Sequence, residues 1–197
     1  NKFKEFIITD PYQVFEAFEH TAGKGAGQFH TIAIDTATFL MDMFESVHVL
    51  PSTNAMKAWG QYNQFFKELM QQFVANSTLN VVFTAHTLSK LNEQTGIIET
   101  SVPVKGALKN QGIEAYFSTV VSTKKIPLRM LENFKNDMLT ITEDDELVGY
   151  KHVFQTRLTK ETVGERIRSP MGLFTRDQTY VNNDAQILLD HLHHYYA

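Results

Sequence analysis

Thr31-Ile-Ala-Ile-Asp-Thr-Ala-Thr-Phe-Leu40 and Asn80-Val-Val-Phe-Thr-Ala-His86 decide how this chain is read. In each, a short apolar run stops on a polar group, Asp35 in the first and His86 in the second. Thr31 to Ile34 is apolar apart from its threonine, as expected of a parallel strand covered on both faces, and Val81 to Thr84 reads as its neighbour. Between them Met56, Trp59, Tyr62, Phe66, Leu69, Met70 and Phe73 recur at helical spacing after Pro51-Ser52-Thr53. Strand, long helix and strand within about 55 residues make a βαβ crossover, which is nearly always right-handed.

Outward from this centre the chain reads as one α/β domain with added hairpins. Phe3 to Thr9 is expected to be a short strand. Asp10, Pro11 and Gln13 then supply an N-cap, a first helical position and a capping-box partner. Gly23-Lys-Gly-Ala-Gly27 lies between that helix and the next strand, so it reads as a flexible turn. A phosphate loop would instead follow a strand and open a helix. Lys90–Glu93 and Ile97–Val102 flank a Gln94-Thr95-Gly96 turn and predict a hairpin, followed by a helix around 107–112. Ala115–Thr123 reads as a further strand. Met138–Thr142 and Val148–Arg157 read as a second hairpin with Glu143-Asp-Asp-Glu146 at its solvated tip. A last amphipathic helix follows Asn183-Asp184, with Ile187, Leu188, His191, Leu192 and Tyr195 on one face.

Composition narrows the function classes. The chain has 197 residues, 43% of them hydrophobic and 12% aromatic, enough for a real core and too many for disorder. With no cysteine it holds neither disulfides nor cysteine-ligated zinc, which fits a reducing cytoplasm. The apolar runs fall short of the roughly 18 residues of a membrane span, so no membrane partner is expected. A net charge of −4 gives no overall attraction to nucleic acid, although a local basic stretch can still supply it. Because the chain opens on Asn1 and runs straight into Lys2-Phe-Lys-Glu-Phe-Ile-Ile8, the natural protein is expected to begin upstream.

Few residues can carry chemistry. Asp35 ends a strand, where a carboxylate projects from the carboxyl edge at which open α/β sheets bind ligands; it can equally cap the following turn. His86 ends the second strand and lies near Asp35 if the two strands are neighbours. Lys105, beside Gly106, is either a solvated turn lysine or a cation offered to a ligand. Arg157, Lys160, Arg166, Arg168 and Arg176 outweigh Glu161 and Glu165 locally, and guanidinium groups pair bidentately with phosphate. His191, His193 and His194 have no carboxylate set nearby to complete a metal site.

The order Phe29-His-Thr-Ile-Ala-Ile-Asp-Thr36, helix from Trp59 to Phe73, Asn80-Val-Val-Phe-Thr-Ala-His86 and Pro103-Val-Lys-Gly106 resembles the phage RecA-like nucleotide-binding proteins. These are recombination ATPases associated with single-strand annealing and related to the core of the RecA-type recombinases. The likeness continues through Tyr150-Lys-His-Val-Phe-Gln-Thr-Arg157, Gly164-Glu-Arg-Ile-Arg168 and a tail like Asn183-Asp184 with its helix. It implies an α/β, RecA-like P-loop NTPase core over residues 1–197, with a mostly parallel central sheet flanked by helices and added β-hairpins.

The resemblance also implies a set of roles. Asp35 would organise Mg²⁺ through water, with Thr36 beside it, and His86 would sense the phosphate of ATP. Lys105, Arg166 or Arg168 would be the cation given to a neighbour's nucleotide. Single-stranded DNA would be the polymer, met by the segment from Ser89 to Gly112 of several subunits in a homo-oligomeric ring or filament. The compartment would be the cytoplasm, that of the host if the protein is phage-encoded. The motif G-x-x-x-x-G-K-[ST] is absent from the sequence, and in that family it lies upstream of a segment like Lys4–Phe18, so hydrolysis is expected of the full-length protein. Two rivals are a non-catalytic structural or interaction protein and a helicase or packaging motor.

Overall fold

The computed structural model describes residues 3–197, apart from the side chain of residue 110. It divides into two compact units. The first runs to Leu88 and includes Val102–Tyr116; the second comprises Ser89–Ser101 and Phe117–Ala197.

In the first unit, α1 (Gln13–Ala22) begins two residues later than expected, with Tyr12 rather than Asp10 at the N-cap position; Asp10 accepts the Tyr12 N–H at 2.9 Å, and Gln13 Oε1 accepts the N–H groups of Thr9 and Asp10 in the turn that precedes the helix. β1 (Thr31–Ile34) pairs with β2 (Asn80–Phe83) in parallel, Thr31 opposite Asn80 and Ile34 opposite Phe83. The crossover holds two helices rather than the one expected. α2 (Ala37–Phe44) extends as a π turn over Glu45–Val49, and α3 (Ala55–Glu68) extends likewise over Leu69–Val74. Asn54 caps α3 by accepting the Lys57 N–H at 3.0 Å, and no β-branched residue interrupts the helix.

One face of α3 makes the core. Tyr62, Phe65 and Phe66 are buried with Phe44 of α2, and their rings meet at centroid distances of 4.9–5.6 Å. Each such ring contributes about 1.5–3 kcal/mol by burial. Met56, expected on the apolar stripe, is instead 88% exposed at the helix start.

In the second unit, β3 (Leu88–Asn92) and β4 (Ile97–Ser101) form the expected hairpin. Asn92 Oδ1 accepts the N–H groups of Gln94 and Thr95, and Gly96 closes the turn at φ +68°. β5 (Ser122–Pro127), β6 (Tyr150–Gln155) and β7 (Tyr180–Asn182) form an antiparallel sheet with β6 in the middle. Apolar side chains cover both faces. Leu131, Val153 and Tyr180 pack with Ile126 and Phe134, while Val181, Phe174 and Leu188 pack with Phe154. α6 (Ala185–Tyr196) supplies Leu188 and is capped by Asp184, as expected.

The expected fold class is overturned. In place of a mostly parallel central sheet, the described residues form separate sheets of two, two and three strands, and β1–β2 is the one parallel pair of named strands. The strand expected over Phe3–Thr9 does not form, and among the described residues none joins β1 on its other side.

Two smaller expectations fail as well. The strand read over Ala115–Thr123 lies later, as β5, after 3₁₀ turns at Gly106–Asn110 and Ile113–Tyr116. The hairpin read across Glu143–Glu146 does not form, because those residues open α5 (Glu143–Val148). Thr142 and Asp145 make a reciprocal capping box, and Gly149 ends the helix in the left-handed region. That short helix turns the chain so that β6 pairs with β5 and β7 rather than with Met138–Thr142.

Candidate functional site

The carboxyl ends of β1 and β2 bring Asp35 and His86 to one edge. Asp35 follows the last residue of β1, and Thr84 follows the last residue of β2. The Thr84 hydroxyl donates to Asp35 Oδ1 at 2.6 Å. Asp35 Oδ2 has no protein partner among the described residues. Backbone bonds extend the pairing past the strands: Thr84 N–H donates to Ile34 O at 3.1 Å, and Ala37 N–H donates to Thr84 O at 2.9 Å.

His86 is fixed from the α2 side. Its backbone N–H donates to Thr38 Oγ1 at 2.9 Å, and its ring meets Phe39 edge-on at 5.2 Å. Thr36 caps α2, its hydroxyl accepting the Phe39 N–H at 3.1 Å. Asp35 and His86 are both exposed, and Thr36 opens α2 directly after Asp35. The partial positive charge of a helix start favours anions there.

The donor chemistry suits a hydrated divalent cation. Mg²⁺ typically takes one or two carboxylates, with phosphates and water filling the rest. Asp35 offers one free carboxylate oxygen, already oriented by Thr84. Among the described residues no group of three or more His, Asp or Glu side chains could hold a metal by itself.

The expected cations have the following surroundings. Lys105 donates to Glu45 and, at 3.5 Å, to Asp42. The hydrogen bond to Glu45 holds its ammonium above the usual lysine range. Gly106 follows at φ +63°, and a Cβ there would lie 3.2 Å from Asn63 Oδ1. Lys105 is therefore committed to its own unit. Arg166 and Arg168 are exposed in the second unit, flanking buried Ile167, and Arg168 pairs through its backbone with Val120.

Other basic and histidine residues have structural partners. Arg157 Nη1 donates to Phe174 O at 2.8 Å, Lys124 pairs with Glu165 at 2.5 Å, and the His191 ring bonds Leu173 O at 2.6 Å while stacking on Phe174. The segment expected to meet DNA splits into the β3–β4 hairpin and the Val102–Gly112 stretch of the first unit.

Thr84 and Thr38 are the residues that sequence reasoning missed at this edge. Thr84 was visible as the hydroxyl just before Ala85-His86; Thr38 was not, because its role depends on α2 starting at Ala37. Among the described residues no helix is long and apolar enough to cross a membrane. Compared with protein-family models, curated proteins and solved structures, the chain matches none of them.

Proposed function

We propose that this chain is the nucleotide-handling part of a phage-type recombination ATPase, with the carboxyl edge of β1 and β2 facing hydrated Mg²⁺ and the terminal phosphate of ATP. The observation that carries this reading is the 2.6 Å hydrogen bond from Thr84 to Asp35 between the ends of two parallel strands. It sets a carboxylate and, two residues after Thr84, an imidazole on one edge. The motif order quoted above supports the same reading.

Asp35 would hold Mg²⁺ through water, and Thr84 keeps one of its oxygens committed so that the other faces outward. Mg²⁺, when bound with ATP, offsets the charge on the phosphates. His86 offers a ring nitrogen to a phosphate oxygen or a water, held in place by the Thr38 contact. Lys105 is tied to Glu45 and Asp42, so Arg166 and Arg168 are the better cations for a neighbouring protomer in a ring or filament. Single-stranded DNA is the proposed polymer, recruited in the course of recombination or annealing.

A second reading is that of a non-catalytic interaction protein, which an upstream segment lacking the phosphate loop would favour. The sequence holds no G-x-x-x-x-G-K-[ST] loop whose amides and lysine would cradle the β- and γ-phosphates. Titration of the chain with a fluorescent ATP analogue separates the two. The ATPase reading expects weak, Mg²⁺-dependent binding, with a dissociation constant on the order of millimolar, weakened further by Asp35→Asn. Binding insensitive to Mg²⁺ and to that substitution favours the interaction protein.

A further inference from the structure

We propose that single-stranded nucleic acid lies across the loop 169–176 and the end of α6 in the second unit, with its phosphates on Arg157 and Arg176 and a base on Tyr196. This rests on the polymer part of the function proposed above and gives that polymer a place. The hairpin first expected to meet it carries Lys90 against Glu93 and Glu99, and Lys105 is tied to Glu45 and Asp42.

The loop is pinned at three carbonyls. Tyr195 Oη donates to Met171 O at 2.7 Å, the His191 ring bonds Leu173 O at 2.6 Å, and Arg157 Nη1 donates to Phe174 O at 2.8 Å. His191 and Tyr195 both come from α6, one turn apart. Short stretches of chain keep the other groups close. Arg176 is two residues past Phe174, so their Cα atoms lie within roughly 7 Å, and Met171 is three before it, within roughly 11 Å. The Tyr196 ring meets that of Tyr195 edge-on at 5.0 Å.

The chemistry selects the occupant. Arg157 has committed one of its five N–H donors to Phe174, and the exposed Arg176 side chain has no partner among the described residues. Between residues 157 and 176 five cations stand against two acids, of which Glu165 is held by Lys124 at 2.5 Å; Asp177 follows Arg176. Arginines alone would suit an acidic peptide as well as a phosphodiester. Beside them, however, Tyr196 is 63% exposed and Met171 96% exposed. A base stacks on such a ring, whereas the carboxylates of a peptide leave it unmet. In a duplex the bases stay stacked on one another, so the strand that reaches Tyr196 is single.

The test titrates the full chain into a fluorescein-labelled oligothymidylate of about 15 nucleotides and follows anisotropy over a range of salt. Arg176→Gln is expected to weaken binding about fivefold at about 0.1 M salt and to lower the salt slope by about 0.7, the share of one phosphate contact. Tyr196→Ala should weaken it about tenfold and leave the slope unchanged, as loss of a stacked base requires. Tighter binding of an oligouridylate of the same length would support the site and name RNA as its strand. Binding untouched by both substitutions overturns this placement and leaves the polymer standing, whereas no binding at all removes the polymer as well. Equal binding of a duplex of that length, or equal competition by polyglutamate, also overturns it. The Asp35 reading is tested separately by the ATP titration.

Discussion

β1 and β2 are four residues each and stay only partly buried, whereas β6 in the second unit lies between two partners with apolar cores on both faces. In the first unit, burial comes from the aromatic cluster of α2 and α3 rather than from the strands. The antiparallel sheet is held by its own faces. Parallel strands require a long crossover connection, here the one that carries α2 and α3. Asp35, Thr84 and His86 lie just past the carboxyl ends of that pair. In the second unit, polar side chains such as Asn136, which donates to the carbonyls of Phe134, Asp177 and Tyr180, are spent on holding the fold.

If the crossover carries the first unit, its core should be the most sensitive point. Phe66→Ala, at a fully buried ring, should cost about 3–5 kcal/mol, read by urea unfolding on the fluorescence of Trp59, the sole tryptophan. A loss below about 1 kcal/mol would show that the strands, not the helices, carry that unit.

The second unit has a different weak point, where backbone meets backbone. Gly164 accepts the Thr100 N–H at 2.9 Å, and a Cβ added to it would lie 2.2 Å from the Ile98 carbonyl oxygen. Gly164→Ala should therefore displace the β3–β4 hairpin and cost about 1–3 kcal/mol. Thermal unfolding, with amide shifts along Ile97–Ser101, checks this; an unchanged spectrum would mean that the segment around residue 164 is free to move.

The smallest expected effect belongs to the surface of the second unit and depends on pH. Hydrogen bonding from Lys151, helped by Thr142, brings the Asp145 carboxyl down to about 2, against the opposing effect of burial. Because the folded value lies below that of an unfolded aspartate, near 3.9, the stabilisation is fully present above about pH 4. It is lost as pH falls towards 2. Asp145→Asn should cost about 1 kcal/mol at pH 7 and flatten the stability profile between pH 4 and pH 2. A variant with an unaltered acid limb would place that limb's origin in other carboxylates.

The unequal finish of the two units also explains what was legible in the sequence. β1, β2, α3 and α6 carried unambiguous signals: apolar runs, helical spacing and capping residues at Asn54 and Asp184. α2 was hidden because Ala37–Phe44 is apolar on nearly all sides and directly follows a strand, so Thr36 read as part of the strand end rather than as an N-cap. α5 was hidden by its four acidic residues, although Thr142-x-x-Asp145 and Gly149 were a capping box and a stop signal in plain view. β5 was misplaced because Lys124 and Lys125 interrupt its apolar pattern; Lys124 reaches Glu165, and Lys125 lies over the Tyr150 ring at 3.6 Å. Neither contact follows from local periodicity. That Asp35 and His86 stand just past the ends of neighbouring strands was readable from two apolar runs, while the tie of Lys105 to Glu45 and Asp42 depends on packing across some sixty residues.

The most direct measurement replaces Mg²⁺ with Mn²⁺ in the presence of ATP and follows paramagnetic broadening of the amide resonances. The account predicts broadening centred on Asp35, Thr36, Thr84 and His86, abolished by Asp35→Asn. Broadening that persists in that variant, or that centres on the acidic first turn of α5, would contradict it.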